Sequence, residues 1–224
     1  AGGASVYTAW RKERLPKRFV LEVDIAKLEL AEARTPSMRE RITGAISSDG
    51  SQRMTVRHAS ESVRRAASDP RVCAVYVTGS RAHSLSTASE LRGAIADFRA
   101  ARAKNAPDKP AAPTLAWAVE YDSTMGYYVA SACDEVFVQP GASLALPGLS
   151  TQLPFLRRLL DRYGVRLETV RREEFKNAAD GLVHAEPTDA HLKGTSRLLR
   201  ASYEIVSAGV CAARGLTERE LAKL

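Results

Sequence analysis

Residues Val72 to Thr78 read VCAVYVT, an unbroken apolar and β-branched run of strand length. A strand with one wet face alternates polar and apolar side chains, whereas an unbroken run suits a central parallel strand covered on both faces. Parallel strands cannot be joined by a tight hairpin and need a crossover of a dozen or more residues, usually a helix. The flanking sequence supplies such crossovers. Phe19, Leu21, Val23 and Ile25 alternate with Val20, Glu22 and Asp24, which predicts a first strand, and Met54 to Ala67 is helical up to the stop at Asp69-Pro70. After the central run, Thr87 to Lys104 carries Leu91, Ala94, Ile95 and Phe98 on one stripe, and the Pro/Ala-rich loop NAPDKPAAP (105–113) follows. A second apolar run, TLAWAVE (114–120), leads through DSTMGYYVASACDE (122–135), read as a turn and short helix, into a third, VFVQP (136–140). Strands alternating with helices imply an α/β protein whose parallel sheet has right-handed crossovers and flanking helices.

Downstream, the pattern predicts a basic amphipathic helix over Phe155–Tyr163 and a strand over Val165–Arg171. A long helix is expected from Thr188 to Arg214, with Gly215 as its left-handed cap. Thr217 followed by Glu220 is a capping box opening one more helix. Residues 1–17 (AGGASVYTAWRKERLPK) read as a flexible basic arm and 18–224 as a single domain. The stretch before Gln52 has no steady period beyond a short strand near Ile42–Ile46. The chain opens on Ala and stops inside a capped helix, so a longer protein is expected, with an upstream targeting or anchor segment removed.

The formal charge of +7 is spread over helices rather than clustered with aromatics, which argues against a nucleic-acid partner. It leaves room for a membrane surface, where Trp10 beside Arg11, Lys12 and Arg14 is the candidate contact. Cys73, Cys133 and Cys211 are odd in number and far apart and contain no CxxC pair, so they read as buried thiols, not a zinc site or disulfide framework. No cofactor is expected, because the chain has neither a G-x-x-x-x-G-K loop nor a dinucleotide fingerprint.

Residues Ser123-Thr124-Met125-Gly126-Tyr127-Tyr128-Val129-Ala130-Ser131, and Phe175-Lys176-Asn177-Ala178 further on, carry a more specific signal. Together they resemble the signal peptide peptidase A (protease IV) family of serine/lysine peptidases, which has a ClpP/crotonase-like fold. In catalytic members the turn reads roughly Ala-Ser-Gly-Gly-Tyr-Tyr-x-Ala-Ser with Ser as nucleophile, and the general base lies in an aromatic-Lys-Ser-Ala motif some fifty residues later. Here Lys176 follows Thr124 by 52 positions, so the lysine is kept and the serine is not. The resemblance covers roughly 18–224 and is strongest over 114–180. It implies the N-terminal half of the long tandem form, in which one half supplies the lysine and the other the serine. It further implies a serine-bearing second domain or subunit, signal peptides and other apolar peptides as substrates, a homo-oligomer and membrane association, with the compartment left open. The alternative is a non-catalytic scaffold or oligomerisation domain of the same fold.

Lys176 is the expected catalytic residue. An amine acts as a base only when neutral, and apolar burial, here by Phe175, Ala178 and Ala179, is what lowers an ammonium pKa. The competing reading is an exposed lysine paired with Glu173 or Asp180. Gly79, Thr124 and Gly126 are the candidate oxyanion or substrate-binding positions. The loop after the central strand, Gly79-Ser80-Arg81-Ala82-His83-Ser84, keeps one glycine where catalytic relatives have Ser-Pro-Gly-Gly. That speaks against a working oxyanion hole in this half, and equally against acyl-CoA chemistry. Thr124 is crowded by its own methyl group, so a turn or cap role suits it better than attack, and Asp122-Ser123 reads as a helix cap. His58, His83, His184 and His191 read as surface side chains.

Overall fold

The computed structural model describes residues 16–28, 54–82, 84–105 and 112–223. Trp10 and most of the basic arm, the short strand near Ile42–Ile46, most of the loop over 105–113, and His83 lie outside the described residues. The contacts gather into two compact units, Ala1–Pro147 with Val210–Leu224, and Gly148–Gly209.

Among its described residues the first unit holds four parallel strands, β1 (Phe19–Asp24), β2 (Val72–Thr78), β3 (Thr114–Ala118) and β4 (Glu135–Val138), in the spatial order β1-β2-β3-β4. Helices α1 (Val56–Ala66), α2 (Leu85–Asn105) and α3 (Thr124–Ala130) make the crossovers. When strand order equals chain order, right-handed crossovers place every helix on the same sheet face. Accordingly α1 packs on α2 and α2 on α3. The covered face buries Val23, Val75, Val77, Ala116 and Ala118, and Phe98 of α2 is fully buried. The paired residues Trp117 and Phe137 remain exposed on the opposite face. Among the described residues the sheet is covered fully on one side only: Cys73, Tyr76 and Thr78 of β2 are half-buried, so the expected cover on both faces of β2 is incomplete.

Three arginines of α2 tie the crossovers together. Arg92 donates from Nη1 to the Tyr128 carbonyl at 2.6 Å and to Ser131 Oγ at 2.7 Å, closing the end of α3. Arg99 pairs with Asp134 at 2.6 Å and donates to the Ala132 carbonyl at 3.0 Å. Arg102 donates from Nη2 to the carbonyls of Ala66, Asp69 and Val72 at 3.1, 2.8 and 2.8 Å. These arginines are not solvated charge: each satisfies carbonyls that a helix end or turn leaves orphaned.

Asp134 Oδ2 also accepts from the Thr114 amide at 2.8 Å and its hydroxyl at 2.7 Å. Burial pushes this carboxyl up, but the Thr114 hydrogen bonds and Arg99 outweigh it and hold its pKa below the ordinary value. A depressed folded-state pKa gives stability that is present above the unfolded value, about 3.9, and is lost as pH falls through the folded one. The wild-type urea midpoint should therefore drop between about pH 5 and pH 2 by more than that of Asp134→Asn. Equal drops in the two proteins would refute this.

In the second unit, α4 (Arg157–Arg162) packs on α5 (Asp180–Val183). The Leu156 amide donates to the Gly181 carbonyl at 2.6 Å, and a Cβ on Gly181 would lie 2.5 Å from the Pro154 carbonyl oxygen. Most of α6 (Asp189–Arg214) belongs here, with Thr188 capping it through the His191 amide at 3.2 Å. Gly215, at φ +65°, terminates α6 in the left-handed conformation, and the capping box of Thr217 and Glu220 opens α7 (Glu218–Leu221). The strand expected over Val165–Arg171 does not form. Its β propensity meets no paired strand among the described residues, and Val170 is fully exposed. Of the cysteines, which are all free, only Cys133 is buried, and burial pushes its thiol up to about 12; Cys73 and Cys211 are half-buried. Among the described residues no helix is long and apolar enough to cross a membrane.

Candidate functional site

The turn between β3 and α3 belongs to the first unit. Ser123 occupies the N-cap position with extended backbone, φ −131°, but its side chain makes no capping bond. Asp122 does not cap either. Its carboxylate accepts from Arg81 Nη2 at 2.9 Å and from Ser80 Oγ at 3.2 Å. The Arg81 hydrogen bond holds the Asp122 pKa below its ordinary value. The expected Asp122-Ser123 cap is thus corrected: the loop after β2 offered a cationic partner, and a charge-assisted bond outcompetes a neutral N–H.

Thr124 is buried at the first position of α3. Gly126 lies one turn in, where a Cβ would overlap the Ser80 carbonyl group. That close approach gives Gly126 a packing role, and it turns a carbonyl of the post-β2 loop towards α3. An oxyanion site needs N–H donors instead. Gly79 sits at φ +92°, and its open side faces Ala26 and Asp24. The three candidate positions other than Lys176 are therefore gathered around one tight turn, which is locked by Arg81, Asp122 and Ser80. Tyr127 meets the buried Tyr121 edge-on, with ring centroids 5.7 Å apart, and burial raises the Tyr121 pKa.

Lys176 belongs to the second unit, in the loop between α4 and α5, where its amide donates to the Glu173 carbonyl at 3.1 Å. Its side chain is exposed, as are Phe175 and Ala178. The expected apolar burial is therefore not made by the lysine's own neighbours, because Phe175 turns outward. Of the competing reading, an exposed lysine paired with Glu173 or Asp180, the exposure is found and the pairing is not: among the described residues Lys176 makes no ion pair. Asp180 is 2% exposed and is bonded instead to Arg171 Nη1 at 2.7 Å. Thr188 Oγ1 donates to its other oxygen at 3.2 Å, and His191 Nδ1 stands 3.4 Å from that oxygen. His191, read from sequence as a surface side chain, is in fact nearly buried and tilted against Phe155 at 6.1 Å. Of the other histidines, His58 is exposed on α1 and His184 is half-buried. Sequence reasoning missed the cluster of Asp180, Arg171, Thr188 and His191. The one local signal was Pro187-Thr188 ahead of a helix, which marks a cap and says nothing of a buried carboxylate beside it. Among the described residues no group of side chains is suited to a metal ion.

Among the described residues a parallel sheet with crossover helices and a glycine-tight strand-to-helix turn define an α/β protein. Peptidase family S49 matches residues 107–224, just over half of the chain, and the chain belongs to that family. It is 26% identical over 185 residues to the protein named "Serine protease SPPA, chloroplastic" of Arabidopsis thaliana. That match takes in 81% of this chain but 25% of the relative, so the chain spans about a quarter of that protein's length. Among solved structures, an enoyl-CoA hydratase from Mycobacterium avium subsp. paratuberculosis is similar at 19% identity and a TM-score of 0.28, covering 70% of this chain and 72% of that one. A likeness that low carries no correspondence of residues.

Proposed function

We propose that this chain is the lysine-donating part of a serine-type endopeptidase, working with a serine supplied by a second domain or subunit. The observation that carries the reading is the state of Lys176. It lies in the family-matched region, in the Phe-Lys-Asn-Ala setting, and Arg171 occupies the nearest buried carboxylate. The amine is exposed and makes no ion pair among the described residues, so it is open to contact with a serine-bearing partner. Contact with an apolar serine-bearing partner would supply the desolvation that this chain's own residues do not.

In this reading a serine Oγ attacks the scissile carbonyl and its proton passes to Lys176 Nζ. The ammonium then protonates the leaving amine, and the neutral lysine next takes a proton from the water that hydrolyses the acyl-enzyme. Substrates are extended apolar peptides, cleaved signal peptides among them, and the working form is a homo-oligomer at a membrane surface. Hydrolysis of an apolar fluorogenic peptide by the full-length natural protein, wild type beside Lys176→Ala, tests the reading. Loss of a general base should lower kcat by about 10²–10⁴-fold.

The scaffold reading is favoured by a different observation, the Arg81–Asp122–Ser80 lock on the turn where a nucleophile would stand. It predicts equal hydrolysis by both proteins, with a base located elsewhere.

A further inference from the structure

Asp180 is the one fully buried carboxylate among the described residues, and a buried carboxylate is tolerated only when paired and hydrogen-bonded. Its partners straddle the lysine loop. Arg171 lies five residues before Lys176, and Thr188 and His191 stand at the start of α6, beyond the loop. Between Arg171 and Asp180 the backbone makes two consecutive turns, closed by the Lys176 amide on the Glu173 carbonyl and the Asp180 amide on the Asn177 carbonyl. On the far side, the His184 amide donates to the Asp180 carbonyl at 2.9 Å. Both the main chain and the side chain of Asp180 are therefore engaged, while the Lys176 side chain makes no ion pair with Asp180.

We propose that Asp180 is the positioning residue for Lys176: its carboxylate clamps Arg171 to the N-terminus of α6 and so fixes the loop that presents the lysine amine. This rests on the reading of Lys176 as the base. The clamp acts twice. It closes the loop in one geometry, and it commits to Arg171 the negative charge that would otherwise be free to pair with a lysine four residues away. Arg171 suits the task better than a lysine would, because its planar fork keeps direction as well as charge at a partly buried site.

The test uses the full-length natural protein with Asp180→Asn, Lys176→Ala and the charge exchange Arg171→Asp with Asp180→Arg. Hydrogen exchange followed by mass spectrometry reads the loop directly. Amides over 172–179 should exchange about 10-fold faster in Asp180→Asn, while those of β2 stay unchanged, since local opening is separable from global unfolding. In peptide hydrolysis, Asp180→Asn should lower kcat by about 10–100-fold with little change in KM, the mark of a misplaced base rather than lost binding, and the exchange should restore part of it. Unchanged exchange over 172–179 overturns the proposal. So does a faster-exchanging loop with wild-type kcat in a protein that Lys176→Ala inactivates. If Lys176→Ala retains full activity, the base assignment fails on its own, and hydrogen exchange still decides whether Asp180 holds the loop.

Discussion

Gly126→Ala should destabilise the first unit by about 3 kcal/mol or more, at the upper end of what overpacking costs. The added methyl would occupy the space of the Ser80 carbonyl group. A clash with the tip of a flexible side chain is relieved by a rotamer change, but here the obstacle is backbone. Ser80 cannot retreat cheaply, because its hydroxyl and Arg81 both hold Asp122 and because Gly79 before it sits at φ +92°, where even an added Cβ would lie 3.3 Å from Ala26 and Asp24. Nor can α3 retreat, since Arg92 grips its far end at the Tyr128 carbonyl. The urea midpoint reports the loss, and Gly93→Ala is the control. It lies in the middle of α2 with only the flexible tip of Arg64 within 4.0 Å of a Cβ, so alanine should be neutral or slightly stabilising. Equal midpoints for Gly126→Ala and wild type would mean that the turn is looser than its geometry.

Arg102→Ala should cost about 2–4 kcal/mol: charge-assisted hydrogen bonds are worth about 1.5–3 each when fully made, but here the two protons of one Nη2 are shared among three carbonyls, so the total is less than their sum. One Nη2 group serves the Ala66 carbonyl at the end of α1, the Asp69 carbonyl in the turn, and the Val72 carbonyl at the start of β2. The guanidinium also stacks 5.4 Å from the centroid of the buried Phe98 ring. Arg102→Lys keeps the charge but not the fork and should recover less than half of the loss. Arg57→Ala, which removes an exposed i, i+4 pair with Glu61, should cost no more than about 0.5 kcal/mol. If the two alanine variants melt alike, the bonds of Arg102 are not what joins α1 to β2.

The contrast between these arginines shows how far the chain could be read in advance. The residues of β2 match the expected run, α2 and α6 lie within two residues of expectation, and the helix caps at Gly215 and Thr217 are as anticipated. All of these depend on side-chain periodicity or on a cap reaching three residues along the chain. The arginines of α2, by contrast, looked like part of a scattered positive charge. Their role depends on carbonyls 30 to 36 residues away, and periodicity carries no trace of that.

At the candidate site the same boundary applies. The Phe-Lys-Asn-Ala motif, the Gly-Tyr-Tyr turn and the family they point to were legible because each is a short run with its own chemistry. The failures came where two local preferences competed for one partner. Asp122 could cap α3 or answer Arg81, and it answers Arg81. Residues 165–171 had strand propensity, but a strand exists only where a second backbone pairs with it. Asp180 could have held Lys176, four residues back, yet its buried carboxylate is bonded to Arg171 and Thr188 and lies beside His191. Local sequence sets which bonds a side chain is able to make, through its chemistry and its helical or strand period. Which bond is made follows from the direction in which packing turns each group, since a buried charge takes whichever partner shares its low-dielectric enclosure.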